Sequence, residues 1–314
     1  MTPEKINIAE TSFSATLTDS NKTVFKASDP IDIGGGYQII PIRPAYSTYY
    51  SNETTKKSKI VLHFTVGSIK GDIATLSKKD NKVSVSYVVD RQGNIYNLFD
   101  DTKWSYHLGS ACIGGNTDMS KASIGIEISN FGPLKLEGGK YIDAYGNLYT
   151  TLPEMVDAID YRGYKYYAKM TDIQIDAIAY LLQYLCKKHG IPDTFKPDTG
   201  TPFASAVLAK AFNGIICHTD VRKDKFDFPP EQTRQIIDRF NTLFHPVPAP
   251  KLEPKVEPIP EPVPDEVKPS ETSIETIADT PATLAPSPKA IEDTKNSSII
   301  DIIIKLILAL IGKR

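Results

Sequence analysis

The stretch CHTDVRKDKFDFPP, residues 217–230, sets His218 and Asp227 nine residues apart across a charged loop that closes on two prolines. The apolar residues Gly214, Ile215 and Ile216 lead into it as a short strand. A strand end and a returning loop can present both side chains to one point. A hydrolytic metal site takes three protein ligands and keeps a fourth position for water, so one more ligand must come from elsewhere. His63 is the natural candidate. In KIVLHFTVG (59–67), Ile60, Leu62, Phe64 and Val66 alternate with Val61, His63 and Thr65, which puts the histidine on the less apolar face of a strand, just before a glycine-containing turn. Each residue has a plainer reading, since a strand histidine is usually structural and a loop aspartate usually solvated. The combination carries the case.

Those residues need a scaffold, and the chain before residue 245 supplies one. VSVSYVVDRQGNIYNLF (83–99) reads as a hairpin turning at DRQGN. SIGIEIS (123–129) reads as a strand with Ile124, Ile126 and Ile128 on one face and Gly125 and Glu127 on the other. TDIQIDAIAYLLQYLCKKHG (171–190) reads as a helix, with Thr171 and Gln174 as a capping box, basic residues in the last turn and Gly190 just past the end. TPFASAVLAKAF (201–212) reads as a second helix capped by Thr201, with Pro202 in its first position. Strands mixed with helices predict an α/β domain over residues 56–245 whose mixed central sheet is flanked by helices. Residues 1–55 stand as an N-terminal extension.

In order along 59–230, the segments VLHFTVGS, VSYVVDRQGNIYNLF, KWSYHLGS, SIGIEISNFG, TDIQIDAIAYLLQYLCKKHGI and CHTDVRKDKFD resemble the zinc-dependent N-acetylmuramoyl-L-alanine amidases of the type 2 amidase and peptidoglycan recognition protein family. The resemblance implies Zn²⁺ held by His63, His218 and Asp227. It implies catalytic roles for Glu127 and Lys225, and for Tyr87, which matches a position where some members set a tyrosine near the metal. His107, Trp104 and Asn130 fall where the family meets its substrate. The implied reaction is hydrolysis of the amide joining N-acetylmuramic acid to L-alanine in bacterial peptidoglycan. Glu127 would shuttle a proton and Lys225 would stabilise the oxyanion. The chain departs from the commonest ending, Lys-x-Asp-Pro-Gly, because Phe228, Pro229 and Pro230 follow Asp227, so the turn after the ligand must differ. The same fold can also bind peptidoglycan without cutting it, and the presence of Asp227 together with Lys225 favours an enzyme.

Composition bounds the rest. The 314 residues are 40% hydrophobic and 24% charged with a net charge of −2, which gives no general argument for nucleic acid as a partner. Three scattered cysteines, Cys112, Cys186 and Cys217, form no disulfide framework. The first 20 residues lack an apolar signal core, so the expectation is synthesis in the cytoplasm and action on the wall after release. Residues 141–167 carry seven tyrosines, read equally as a glycan-contacting wall or as an insertion packed on the sheet edge.

Residues 246–290 hold 12 of the 23 prolines and read as an extended linker, taken to end at 294. The last segment, 295–314, reads as a short amphipathic helix whose apolar run, 299–311, is too short to span a bilayer. Insertion at a membrane interface is the favoured reading, with self-association or a partner as alternatives. A lytic domain, a tether and such a tail fit a phage-type endolysin. A cytoplasmic wall-recycling amidase is the alternative, and it has no evident use for the tail.

Overall fold

A computed structural model describes residues 25–149 and 155–246. The linker and the C-terminal amphipathic helix expected from the sequence lie outside the described residues.

Among the described residues the central sheet has eight strands: β1 (Phe25–Ala27), β2 (Ile31–Gly34), β3 (Tyr37–Pro44), β4 (Lys59–Phe64), β5 (Tyr87–Val89), β6 (Ile95–Asn97), β7 (Ser123–Ile128) and, after four strands of a second sheet, β12 (Gly214–Cys217). Their order is β1-β3-β6-β5-β7-β4-β12, with β2 also paired to β3. The sheet is mixed, as the sequence predicts. β12, β4, β7 and β5 run parallel to their neighbours, whereas the β5–β6 hairpin is antiparallel. Asp90 closes that hairpin by accepting the backbone N–H groups of Gln92 and Asn94. Residues 25–44, set outside the domain on sequence grounds, add three strands to this sheet.

Among the described residues six helices accompany it: α1 (Ile69–Leu76), α2 (Asn116–Ala122), α3 (Asp172–His189), α4 (Ala206–Ala211), α5 (His218–Val221) and α6 (Pro230–Phe244). α3 has the predicted caps. The Thr171 side chain accepts the Gln174 N–H, and Gly190 takes the left-handed conformation. Only half of the expected capping box forms, because the Gln174 amide is drawn inward to the carbonyls of Val89 and Ser129. α4 starts at Ala206 behind Ser205, four residues after the predicted Pro202 start. The physical reason is local: the Phe203 N–H goes to the Asp220 carbonyl rather than into a helix.

Alternation of side chains splits the sheet into two faces. Ile60, Leu62, Phe64, Ile124, Ile126 and Ile128 pack with Ile178, Leu181, Leu182 and Leu185 of α3, and with Ile236 and Phe240 of α6. Burying each such aliphatic side chain contributes about 1.5–3 kcal/mol. That locks the strand register, since a slip by one residue would drive His63 into this core. The opposite face carries Val61, Ile216, Leu108, Met119 and Val221 in a smaller cluster, and it is on this side that the polar site opens.

Residues 133–168 build a second, antiparallel sheet in the order β10-β11-β8-β9, made of β8 (Pro133–Glu137), β9 (Lys140–Ile142), β10 (Val156–Asp157) and β11 (Tyr166–Ala168). Most of its tyrosines serve packing. Tyr149 is buried against Phe131, and Tyr167 lies in the main core. Tyr145 is exposed. Among the described residues no helix is long and apolar enough to cross a membrane.

Candidate active site

The site grows from the C-terminal ends of three adjacent parallel strands, the usual place for function in open α/β sheets. β12 pairs with β4 so that Cys217 lies beside Leu62, which brings the next residue, His218, level with His63. β4 pairs with β7 so that His63 lies beside Glu127. The chain turns sharply at His218 because Asp220 accepts the Cys217 N–H at 2.7 Å and the Gly200 N–H at 2.8 Å.

The loop then returns Asp227 to the histidines, and the phenylalanines on either side of it anchor that return. Phe228 is fully buried, with its ring 5.3 Å from that of Phe64. Phe226 lies 5.9 Å from Phe64 and 5.5 Å from Tyr164. Pro230 opens α6 at once. This is how the chain replaces the Pro-Gly turn that usually follows the aspartate.

His63, His218 and Asp227 are 1%, 4% and 5% exposed. The Nδ1 atoms of His63 and His218 stand 3.0 Å apart. Asp227 Oδ2 lies 3.0 Å from His218 Nδ1 and 3.7 Å from His63 Nδ1. A triangle with those sides has a point about 1.9 Å from every corner, close to the ~2.0–2.1 Å of zinc–nitrogen and zinc–oxygen bonds. The three residues therefore fit one small cation.

Electrostatics agree with that fit. Burial, and then the neighbouring His218, push the His63 imidazole down to about 4, so it is neutral at pH 7. Burial alone would raise the Asp227 carboxyl, but the adjacent His218 and His63 hold it well below the ordinary carboxylate range. Neutral imidazole and an anionic carboxylate are the forms that bind metal.

Glu127 stands beside this group. Burial, reinforced by the charges of Asp227 and Asp72, raises its carboxyl well above the usual range, and the Lys225 ammonium opposes that rise. Its Oε2 is buried and has no hydrogen-bond partner among the described residues. The positive charge of Lys225 is also felt at His63 and Asp227.

Four other residues sit differently from expectation. Tyr87 pairs in register with Ile126, so it points to the α3 side of the sheet. There its hydroxyl donates to Asp101 at 2.6 Å. The Trp104 indole N–H donates to Glu53 at 3.1 Å and its ring lies under the Lys121 ammonium, which braces residues near 53 rather than lining the cluster. The Asn130 side chain is buried, donating to the Ala168 carbonyl and accepting the Gly132 N–H, and so ties the two sheets together. His107 meets no open cleft on its Nδ1 side, because that atom lies 3.0 Å from His63 Nε2.

Sequence reasoning passed over three neighbours of the site. Ser123 lies 3.0 Å from His107 Nε2. Arg222 donates to the Leu108 carbonyl at 2.6 Å, where a side chain at Gly109 would collide with it. Arg162, on a turn of the second sheet, donates to the backbone carbonyls of Arg222, Lys223 and Lys225. The glycine of HLGS was a readable signal for Arg222. Nothing in the sequence around Ser123 or Arg162 marks the other two contacts.

Comparison with known proteins places the chain. A family described as N-acetylmuramoyl-L-alanine amidase, Amidase_2, matches residues 53–230. The N-acetylmuramoyl-L-alanine amidase AmiD of Escherichia coli K12 is 30% identical over 113 residues, which cover 34% of this chain and 38% of that protein. The chain thus spans less than half of the curated relative it matches. Among solved structures, the E. coli AmiD complex with anhydro-N-acetylmuramic acid-L-Ala-D-gamma-Glu-L-Lys aligns at 20% identity and a TM-score of 0.38, over 67% of this chain and 65% of that one. Staphylococcus aureus hydrolase AmiA aligns at 12% identity and a TM-score of 0.40, over 76% and 94%. The family match covers more than half of the sequence and contains every residue of the cluster, so the chain belongs to the Amidase_2 family of N-acetylmuramoyl-L-alanine amidases.

Proposed function

We propose that this protein is a zinc-dependent N-acetylmuramoyl-L-alanine amidase that cuts peptidoglycan in cell lysis. The observation that supports it best is the convergence of His63 Nδ1, His218 Nδ1 and Asp227 Oδ2 at spacings that suit one zinc ion. Zinc held there supplies Lewis acidity and lowers the pKa of water toward neutrality. The protein's own groups do the rest. Glu127, register partner of His63, holds a carboxylate where it can take a proton from the attacking water and hand it to the leaving amine nitrogen of L-alanine. Lys225 keeps a fixed positive charge for the oxyanion that develops on the lactyl carbonyl. A site with a general base, a cation and three ligands favours cleavage over mere binding.

The test uses purified sacculi incubated with the full chain, with and without chelator, followed by mass spectrometry of the new ends. Free L-alanine amino termini that vanish with chelator and return with Zn²⁺ are expected. Cleavage that persists in metal-free protein would overturn the zinc mechanism. The segment 299–311 suggests a further placement, at a membrane surface after release, on its sequence alone. Co-sedimentation with lipid vesicles, full chain against a truncation after His245, tests it, and equal sedimentation would reject it.

A further inference from the structure

His63 can serve as a ligand only if its Nδ1 carries no proton, and a neutral imidazole has two tautomers. The surroundings decide between them. The Ser123 hydroxyl has one hydrogen, and it goes to the Met119 carbonyl at 2.6 Å, an acceptor that has nothing to give back. Toward His107 the Ser123 oxygen must therefore accept. His107 Nε2, 3.0 Å away, is the donor, which leaves His107 Nδ1 bare. That bare nitrogen lies 3.0 Å from His63 Nε2, so His63 donates there and its Nδ1 is free. His218 reaches the same state by a shorter route, since its Nε2 faces the Leu108 carbonyl at 3.2 Å and must donate to it. Two bare ring nitrogens and a carboxylate oxygen then converge with no hydrogen to share, an arrangement that a bound cation satisfies.

The fold keeps this chain of bonds in place. Ser123 opens β7 directly after α2, whose residue Met119 supplies the final acceptor. His107 fits because position 125 is glycine. A Cβ there would lie 3.1 Å from His107 Nδ1 and 2.7 Å from Val85.

We infer that His107 and Ser123 are positioning residues: the chain from Met119 through Ser123 and His107 holds His63 in the one tautomer and orientation that can bind metal. The inference rests on the zinc reading above and assigns the device that prepares this ligand for it. Outer hydrogen bonds of this kind are generally worth 10–100-fold in metal affinity.

Two substitutions at one position separate this role from simple packing. In His107→Asn, the amide oxygen can take the place of Nδ1 and still accept from His63. In His107→Gln, the amide reaches toward the Nε2 position and the acceptor for His63 is lost. Packing alone favours Gln, the larger side chain. The relay predicts the reverse order: zinc affinity by chelator competition about 10–100-fold weaker for His107→Gln, and within about fivefold of wild type for His107→Asn. Ser123→Ala should fall between them. Nitrogen-15 NMR of histidine-labelled, metal-free wild type reads the tautomers directly, because the chain has only five histidines. His63 and His218 are both expected as the Nε2–H form, whatever the variants do on folding. His63 found as Nδ1–H, or Gln binding zinc as tightly as Asn, would overturn the relay and leave the zinc reading standing. Wild type that takes up no zinc would remove the zinc reading, and the inference with it.

Discussion

His63 and Glu127 are register partners on neighbouring parallel strands, β4 and β7, with their side chains on the same sheet face. Strand pairing alone therefore sets a carboxylate beside a histidine without help from any loop. Loops differ among relatives more freely than a buried parallel ladder does. The proposed ligand and the proposed proton carrier thus both lie on paired strands of the central sheet, while Lys225 and Asp227 arrive on the returning loop.

Removing any one ligand should remove the metal. His63→Ala, His218→Ala and Asp227→Ala should each purify without stoichiometric zinc and release no stem peptide from sacculi. Two remaining ligands leave an open site with little hold on the ion. Metal content by mass spectrometry checks this, and a variant that keeps both zinc and turnover would show that its residue is no ligand.

Glu127→Gln should retain zinc and lose turnover by about 10²–10⁴-fold, because the amide keeps the shape but cannot carry a proton. Lys225→Ala should also retain zinc and lose about 10²–10³-fold through weaker oxyanion stabilisation. Wild-type rates in either variant would reassign that role.

His63 and Glu127 are legible in the sequence as site candidates because period-two strands reveal which face a residue takes. His63 and Glu127 stand out as polar positions on otherwise apolar strands, and α3 announces itself with Thr171 and Gly190. Tyr87 misleads because family likeness says nothing of strand register in this chain. Its pairing with Ile126 fixes it on the α3 face, and pairing is not written in either strand alone. Trp104 and Asn130 have internal partners, Glu53 and Ala168, that their places in the sequence do not announce. Ser123 and Arg162 leave no local mark: Ser123 reads as an ordinary strand-opening serine, and Arg162 acts on carbonyls about 60 residues along the chain.

Asp72 should make stability fall as pH rises. Its carboxyl is buried, which raises it to about 7, although Ser129 at 2.6 Å and Thr65 at 2.8 Å both donate to it. The unfolded value is about 3.9. The fold thus holds this proton more tightly than the open chain does, so the stabilisation is complete below pH ~4 and is lost as pH climbs through ~7. Asp72→Asn keeps an oxygen for both donors and has no proton to lose. Urea unfolding should show the variant gaining on wild type by a few kcal/mol between pH 4.5 and pH 8. An unchanged difference at the two pH values would show that Asp72 is ionised in the fold throughout.

Arg162 should control how well the loop holds Lys225. Its guanidinium donates to the carbonyls of Arg222, Lys223 and Lys225, and two residues later Tyr164 packs on Phe226. The second sheet thus grips the loop from Arg222 to Phe226, just before Asp227. Arg162→Ala leaves those carbonyls to water and frees the loop without touching β4, β7 or β12. Amide hydrogen exchange over 222–227 should accelerate, and turnover should drop about tenfold as Lys225 loses its fixed place. Zinc content should persist, because His63 and His218 sit at strand ends and the buried Phe228, packed on Phe64, still anchors Asp227 beside them. Exchange as slow as in wild type would show that the packing of Phe226 and Phe228 holds the loop without Arg162, and the Arg162 contacts would then have no part in the chemistry.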